Sequence, residues 1–246
     1  MRFASTLDPT SSHDGMRTAC VIPVRGGSKG IPRKNLAELV NGFSLLSWTV
    51  RQALQAFQAE DVIVSTEDAE LANLALANGA RVIPRPERLA QDESTTASVV
   101  EDLLDTIDAG GRIYNALVIL QVTSPLRELA DVRCALNMMA TGRYDSVVSA
   151  FEEIGSHPAK MYTMDGEMAV SVMPAHETCR RQDLPPVFRR NGAIFAVTTQ
   201  HFRLTGRLWG GRTGLVLMPR ERSTDIDTPA DLENARRYLY SSSLAN

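Results

Sequence analysis

Lysine is scarce in this 246-residue chain: of 26 basic residues only Lys29, Lys34 and Lys160 are lysines. Three ammonium groups in a chain otherwise written in arginine are either chance or mark sites where a planar guanidinium would not serve. Cysteine is equally scarce. Cys20, Cys134 and Cys179 are far apart and odd in number, which excludes a disulfide framework or a cysteine zinc site and fits the reduced thiols of a cytoplasmic protein. The four histidines show no ligand spacing, and His157 reads as shaping the turn before Pro158. No apolar run approaches the roughly 18 residues needed to cross a bilayer, so no membrane partner is expected. A formal net charge of −3 argues against a nucleic-acid partner, though a local basic patch can still hold phosphates. Residues 1–16 lack both periodicity and the apolar core of a signal peptide. They read as a flexible tail before a domain spanning 17–246.

What is present is alternation. A short buried strand (17–24) is followed by helical spacing over 44–57, a strand at 61–66, a helix at 67–78 closed by Gly79 and a strand at 81–84. A helix over 94–107, a near-continuous apolar strand at 116–122, a helix at 128–140 and a strand at 144–151 continue the pattern. Strands at 188–198 and 215–218 and a last helix over 228–240 complete it. Thr228 is the N-cap of that helix, with Pro229 at its first position. This order predicts an α/β fold with a doubly wound, mostly parallel, Rossmann-like sheet. Residues 152–187 break the pattern and read as an insertion carrying a hairpin (161–163 with 168–172) around Asp165-Gly166. Its apolar residues, among them Ile154, Met161, Met164, Met168 and Val170, have no period from which to build a core. A second copy of the chain is expected to bury them in a homodimer.

The first strand runs into VRGGSKGIPRKNL. Gly26 and Gly27 let backbone N–H groups approach an anion, with Ser28 beside them and Gly30 as a third permissive position. Arg25, Lys29, Arg33 and Lys34 place four cations within ten residues. The loop matches neither the Walker A pattern nor the dinucleotide fingerprint. At the carboxyl end of a sheet's first strand it fits a nucleoside triphosphate better than a solvated turn. The Asn35 amide either touches ribose or phosphate or caps the turn. Arg85, taken alone, reads as a surface arginine, and Asp92 and Ser94 as turn and cap residues. Gln121, Thr123 and Ser124 end the longest buried strand and face the crevice, with a capping role equally open for Ser124. Asp225 and Asp227 stand two apart, which in extended backbone puts both carboxylates on one side, an arrangement suited to magnesium. The plainer reading is acids preceding a capped helix.

The blocks IPVRGGSKGIPRKNL (22–36), RPERLAQDESTT (85–96), LQVTSPLR (120–127), HPAK (157–160), RQDLPPVFRRNGAIF (181–195) and STDIDTPADL (223–232) resemble, in order and spacing, the acylneuraminate cytidylyltransferases. The resemblance runs from about Ala19 to Tyr240. Val24 stands where that family usually has Ala, Val122 where Pro is usual, and Arg190 where some members have Pro. The resemblance implies a cytidylyltransferase that joins CTP and a nonulosonic, sialic-type sugar acid into a CMP-sugar and pyrophosphate. It further implies that Arg25, Lys29 and Lys34 hold the CTP phosphates, that Arg85 and Thr96 recognise the base, and that Gln121 contacts the sugar. Asp225 and Asp227 would bind magnesium, for which manganese can substitute. The insertion would reach into a partner's active site, where Lys160 and Arg181 bind the sugar carboxylate, and Arg189 and Asn191 would line the same cleft. No general base is identified. The rival readings are another sugar nucleotidyltransferase, of the 3-deoxy-octulosonate or sugar-phosphate type, and a non-catalytic nucleotide-binding module. Both aspartates argue against the latter.

Overall fold

The computed structural model describes residues 16–28 and 30–243, so the expected tail (save Met16) and Lys29 lie outside the described residues. The elements follow in the order β1 (Thr18–Pro23), β2 (Glu38–Val40), β3 (Phe43–Ser44), α1 (Leu45–Leu54), β4 (Val62–Thr66), α2 (Ala69–Ala77), β5 (Arg81–Pro84), α3 (Thr96–Ala109) and β6 (Ala116–Leu120). Then come α4 (Leu129–Ala140), β7 (Ser146–Glu152), β8 (Tyr162–Asp165), β9 (Met168–Ser171), β10 (Phe188–Thr198), α5 (Thr199–Thr205), β11 (Thr213–Leu217) and α6 (Pro229–Ser243). The main sheet has seven strands in the order β11-β7-β10-β6-β1-β4-β5. Every neighbour pair is parallel except those of β10, which runs antiparallel to both β6 and β7.

Period-two alternation sorts each central strand between two cores. In β1 and β6, Cys20, Ile22, Val118 and Leu120 face the core built with Leu45 of α1, Leu71 of α2, Val132 of α4 and Leu232 of α6. Ala19, Val21, Leu117 and Ile119 face Val100 and Leu103 of α3 and Phe202 of α5. Both sheet faces are therefore covered, which is why these strands read as unbroken apolar runs. Local chemistry fixes the helix starts: Ser44, Asp68 and Thr95 accept the amide protons of the first turns of α1, α2 and α3. Thr95, rather than Ser94, caps α3. At α6 the expected Thr228 cap is present as a reciprocal pair, with Asp231 N donating to Thr228 Oγ1 and Thr228 N to Asp231 Oδ2. No helix is long and apolar enough to cross a membrane among the described residues.

Between β7 and β10 the chain carries no strand of the main sheet. The hairpin β8–β9 stands there as its own two-stranded sheet, with Asp165 opposite Met168 and Gly166 in the turn at φ +60°. Its strand bounds fall within two residues of those expected, and β9 begins at Met168 as expected. Met164 and Met168 are 68% and 72% exposed, against a main sheet whose central strands are fully buried.

Candidate functional site

The carboxyl ends of β1, β4, β5 and β6 open on one edge, and the crevice falls beside β1, where the strand order turns from β6 to β4. Two cavities lie along this edge, of about 340 and 660 Å³.

Arg25, Gly27, Ser28, Lys34, Asn35, Arg85, Thr96, Gln121, Thr123 and Asp227 all line the first cavity. The glycine loop is held in shape from behind. The Asn35 amide donates to the Arg25 carbonyl at 2.8 Å, so this amide braces the loop. Gly26 N donates to Glu67 Oε1 at 2.7 Å, and a Cβ at Gly26 would sit 2.4 Å from Asp68 Oδ2. A Cβ at Gly30 would lie 2.1 Å from the Asp227 carbonyl, so only glycine lets the loop pass that segment. Arg25 pairs with Asp92 at 2.7 Å, and Lys34 donates to the Ile226 carbonyl at 2.5 Å and to Asp227 at 3.3 Å. Arg33, the fourth described or expected cation of the loop, pairs with Asp68 and Glu70. Its hydrogen bond holds the Asp68 carboxyl below the usual carboxylate range. Arg85 is buried, correcting its reading as a surface residue. Burial lowers the proton affinity of its guanidinium, opposed by Glu67 and aided by Arg25. Its Nη2 donates to the Ser65 carbonyl, whereas its Nε and the Glu67 Oε2 are buried without partners among the described residues. Gln121 donates to Thr96 Oγ1 at 3.2 Å, which sets it on the wall of this cavity.

Arg189, Asn191 and Asp225 line the second cavity, along with residues that sequence patterning did not single out: Phe151, Phe195, Trp209 and Arg220. A register shift in β10 builds this cavity. Arg190 faces Ala150 and Phe195 faces Val148, so four residues of β10 oppose one of β7. Gly192, at φ +78°, turns within the bulge, and buried Asn191 pins it through Ser149 (2.6 Å) and Ser223 (2.8 Å). Ser124 is buried close behind, its hydroxyl unpartnered.

Behind both cavities lies Arg127, fully buried. It donates to the Gln121 carbonyl at the end of β6, to the Ala193 carbonyl in the bulge and to Gln52 Oε1 of α1. Burial lowers its pKa to about 10, with nearby Cys20 and Asp131 opposing. It stays cationic at neutral pH and ties the two walls together. Burial also pushes the Cys20 thiol up, which leaves it inert.

The cavities meet at Asp225-Ile226-Asp227. Ile226 is buried and its amide donates to the Thr123 carbonyl, while Asp225 lines one cavity and Asp227 the other. The Asp225 residue keeps contact with water, yet its carboxyl is crowded by the cleft wall. Desolvation pushes it up, opposed by a hydrogen bond from Thr123 and by Lys34, and reinforced by the charges of Asp227 and Asp231. Among the described residues no cluster of three or more His, Cys, Asp or Glu could hold a metal unaided. Two hard oxygen donors under mutual repulsion suit a divalent cation whose remaining ligands come from phosphate and water.

Lys160 and Arg181 line neither cavity. Lys160 Nζ donates to the carbonyls of Glu177 and Cys179, and Arg181 Nη2 to that of Ile154, all within the segment between β7 and β10. His157 caps the short turn there, accepting from Ala159 N at 3.1 Å.

A sequence profile described as cytidylyltransferase matches residues 19–238. The chain is 32% identical over 92% of its length to an N-acylneuraminate cytidylyltransferase of Streptococcus agalactiae and spans 54% of that protein. It thus covers about half the length of such curated relatives. It is 27% identical over 90% of its length to a pseudaminic acid cytidylyltransferase of Campylobacter jejuni, of which it spans 95%. Among solved structures, a CMP:2-keto-3-deoxy-manno-octonic acid synthetase complexed with CTP superposes with a TM-score of 0.68 at 19% identity, covering 92% of this chain and 99% of the other. The mostly parallel, doubly wound α/β fold is common to both.

Proposed function

We propose that this chain, which belongs to the cytidylyltransferase family, transfers the cytidylyl group of CTP to a nonulosonate-type sugar acid. The observation that carries the reading is the meeting of two unlike cavities at Asp225 and Asp227. One is walled by the glycine loop with its cations, the other by arginines and aromatic rings. The names of the relatives, N-acylneuraminate and pseudaminic acid cytidylyltransferases, support the nonulosonate class.

In this reading the anomeric hydroxyl oxygen, seated in the second cavity, attacks the α-phosphorus of CTP in the first. The bond to the β-phosphate breaks, and CMP-sugar and pyrophosphate form. Arg25, Lys34 and the loop amides hold the phosphates in line and stabilise charge on the departing pyrophosphate, with Lys29 added on sequence grounds. Arg85 and Thr96 bound the base end, and Asn191 and Arg189 orient the sugar acid. Asp225 and Asp227 would hold magnesium, or manganese in its place, which when bound neutralises triphosphate charge. The test is pyrophosphate release from CTP and magnesium across a panel of nonulosonic acids, 3-deoxy-octulosonate and sugar phosphates. Release with one or more nonulosonic acids supports the reading. Release with sugar phosphates alone, or nucleotide binding without turnover, contradicts it.

We also propose a homodimer formed on the β8–β9 segment, acting in the cytoplasm. Exposed Tyr162, Met164, Met168 and Val170 support it, since an isologous partner would bury them. So does the absence of Lys160 and Arg181 from the linings of both cavities: a partner would bring them to the sugar carboxylate. An active monomer in sedimentation at micromolar concentration would refute the dimer.

A further inference from the structure

We propose that Arg190, stacked on Trp209, selects sugar acids that carry an acylated amine; this rests on the reading above. Arg190, opposite Ala150, is the last residue of β10 paired with β7 before the bulge. Its guanidinium carbon lies 4.0 Å from the centroid of the Trp209 ring, and the Phe195 ring stands 5.8 Å from the same indole. All three side chains line the 660 Å³ cavity. Among the described residues the Arg190 side chain has no hydrogen-bond or ion-pair partner, and the indole is its one marked contact. The neighbouring Arg220 differs, because Glu153 neutralises it at 3.0 Å.

A guanidinium lying on an aromatic face has its orientation fixed while its N–H edge stays open. The matching ligand therefore offers an oxygen acceptor on a flat group lying against the ring. An acyl amide has this form: its carbonyl accepts from the guanidinium edge, and its plane and alkyl group cover the indole. A hydroxyl at the same carbon supplies neither the plane nor the carbonyl. A free carboxylate would also suit the donors, and the experiment separates the two.

Pyrophosphate release is measured for the wild type, Arg190→Met, Arg190→Lys and Trp209→Leu. Each is assayed with N-acetylneuraminate and with the nonulosonic acid bearing a hydroxyl in place of the acylamino group. The wild type is expected to prefer the acylated acid. Arg190→Met is expected to lose about tenfold of that preference in kcat/KM, the scale of one charge-assisted hydrogen bond. The loss should appear in KM for the acylated acid, with KM for CTP unchanged. Trp209→Leu should move the ratio the same way, and Arg190→Lys should restore little, because an ammonium does not stack as a fork. Thermal midpoints equal to wild type keep the comparison free of folding effects. An equal loss with both acids would mean that Arg190 holds their shared carboxylate, and would overturn the proposal, as would an unchanged ratio. Turnover of no sugar acid by the wild type would overturn the functional reading itself, a result distinct from either.

Discussion

At the first cavity Arg25 and Lys34, with the Gly26 amide of the same loop, already have acidic partners from their own chain: Asp92, Asp227 and Glu67. In the second, among the described residues, the Arg189 and Arg190 side chains have none, and Asp225 is the one carboxylate on the lining. The difference separates two ways of receiving an anion. In the proposed reading the loop is a balanced cradle, in which carboxylates hold the donors in place until phosphate oxygens replace them. The second cavity carries surplus positive charge that a ligand must supply the counter-charge for. A triphosphate brings several charges and a cation with it, so exchange suits the first cavity. A sugar acid brings a single carboxylate, so capture suits the second.

The strongest way to break this division is at the seam. Asp227→Ala should lower turnover at least about a hundredfold, the scale for removing one preorganised electrostatic group, while the thermal midpoint holds. Near wild-type pyrophosphate release at saturating magnesium would remove Asp227 from the site. Arg127→Met attacks both walls at once, leaving the acceptors of Gln121, Ala193 and Gln52 without their donor. It should cost about 3 kcal/mol in chemical denaturation, the sum expected for buried acceptors left unpaired. Asp92→Asn sharpens the exchange picture, since freeing Arg25 from an exposed ion pair should tighten CTP binding by about two- to fivefold in calorimetry. Weaker binding would make Asp92 a support for Arg25 rather than a placeholder. The smallest effect concerns Asp225→Asn. A carboxyl whose folded-state pKa is raised costs stability once pH exceeds its ordinary value. The neutral variant should therefore melt higher than wild type at pH 7 though it turns over poorly, and the gap should close as pH falls through the ordinary carboxylate range.

The balanced cavity was also the more legible one. Its residues lie in contiguous blocks at strand ends, so glycines, cations and a buried strand could be read together. The second cavity depends on the β10 bulge, which brings Trp209 from the loop after α5 beside Phe195 and Arg190, and no local pattern marks such a meeting. Arg189 and Asn191 were expected there only through the family resemblance. The main strands and long helices followed from their periods, whereas β2 and β3 are three and two residues long and α5 seven, too short for a period to show. The antiparallel direction of β10 is set by the excursion through β8–β9, which alternation of apolar residues does not encode. Arg85 read as exposed because arginine usually is. Only the fold shows the Ser65 carbonyl waiting for it.

The central claim is that two cavities with separate ligands act as one site. Steady-state pyrophosphate release by Arg25→Ala and Arg189→Ala, with CTP and the sugar acid varied in turn, tests it most directly. The account predicts that KM for CTP rises in the first variant with KM for the sugar acid unmoved, and that the second variant shows the reverse. Both constants rising together in either variant would contradict it.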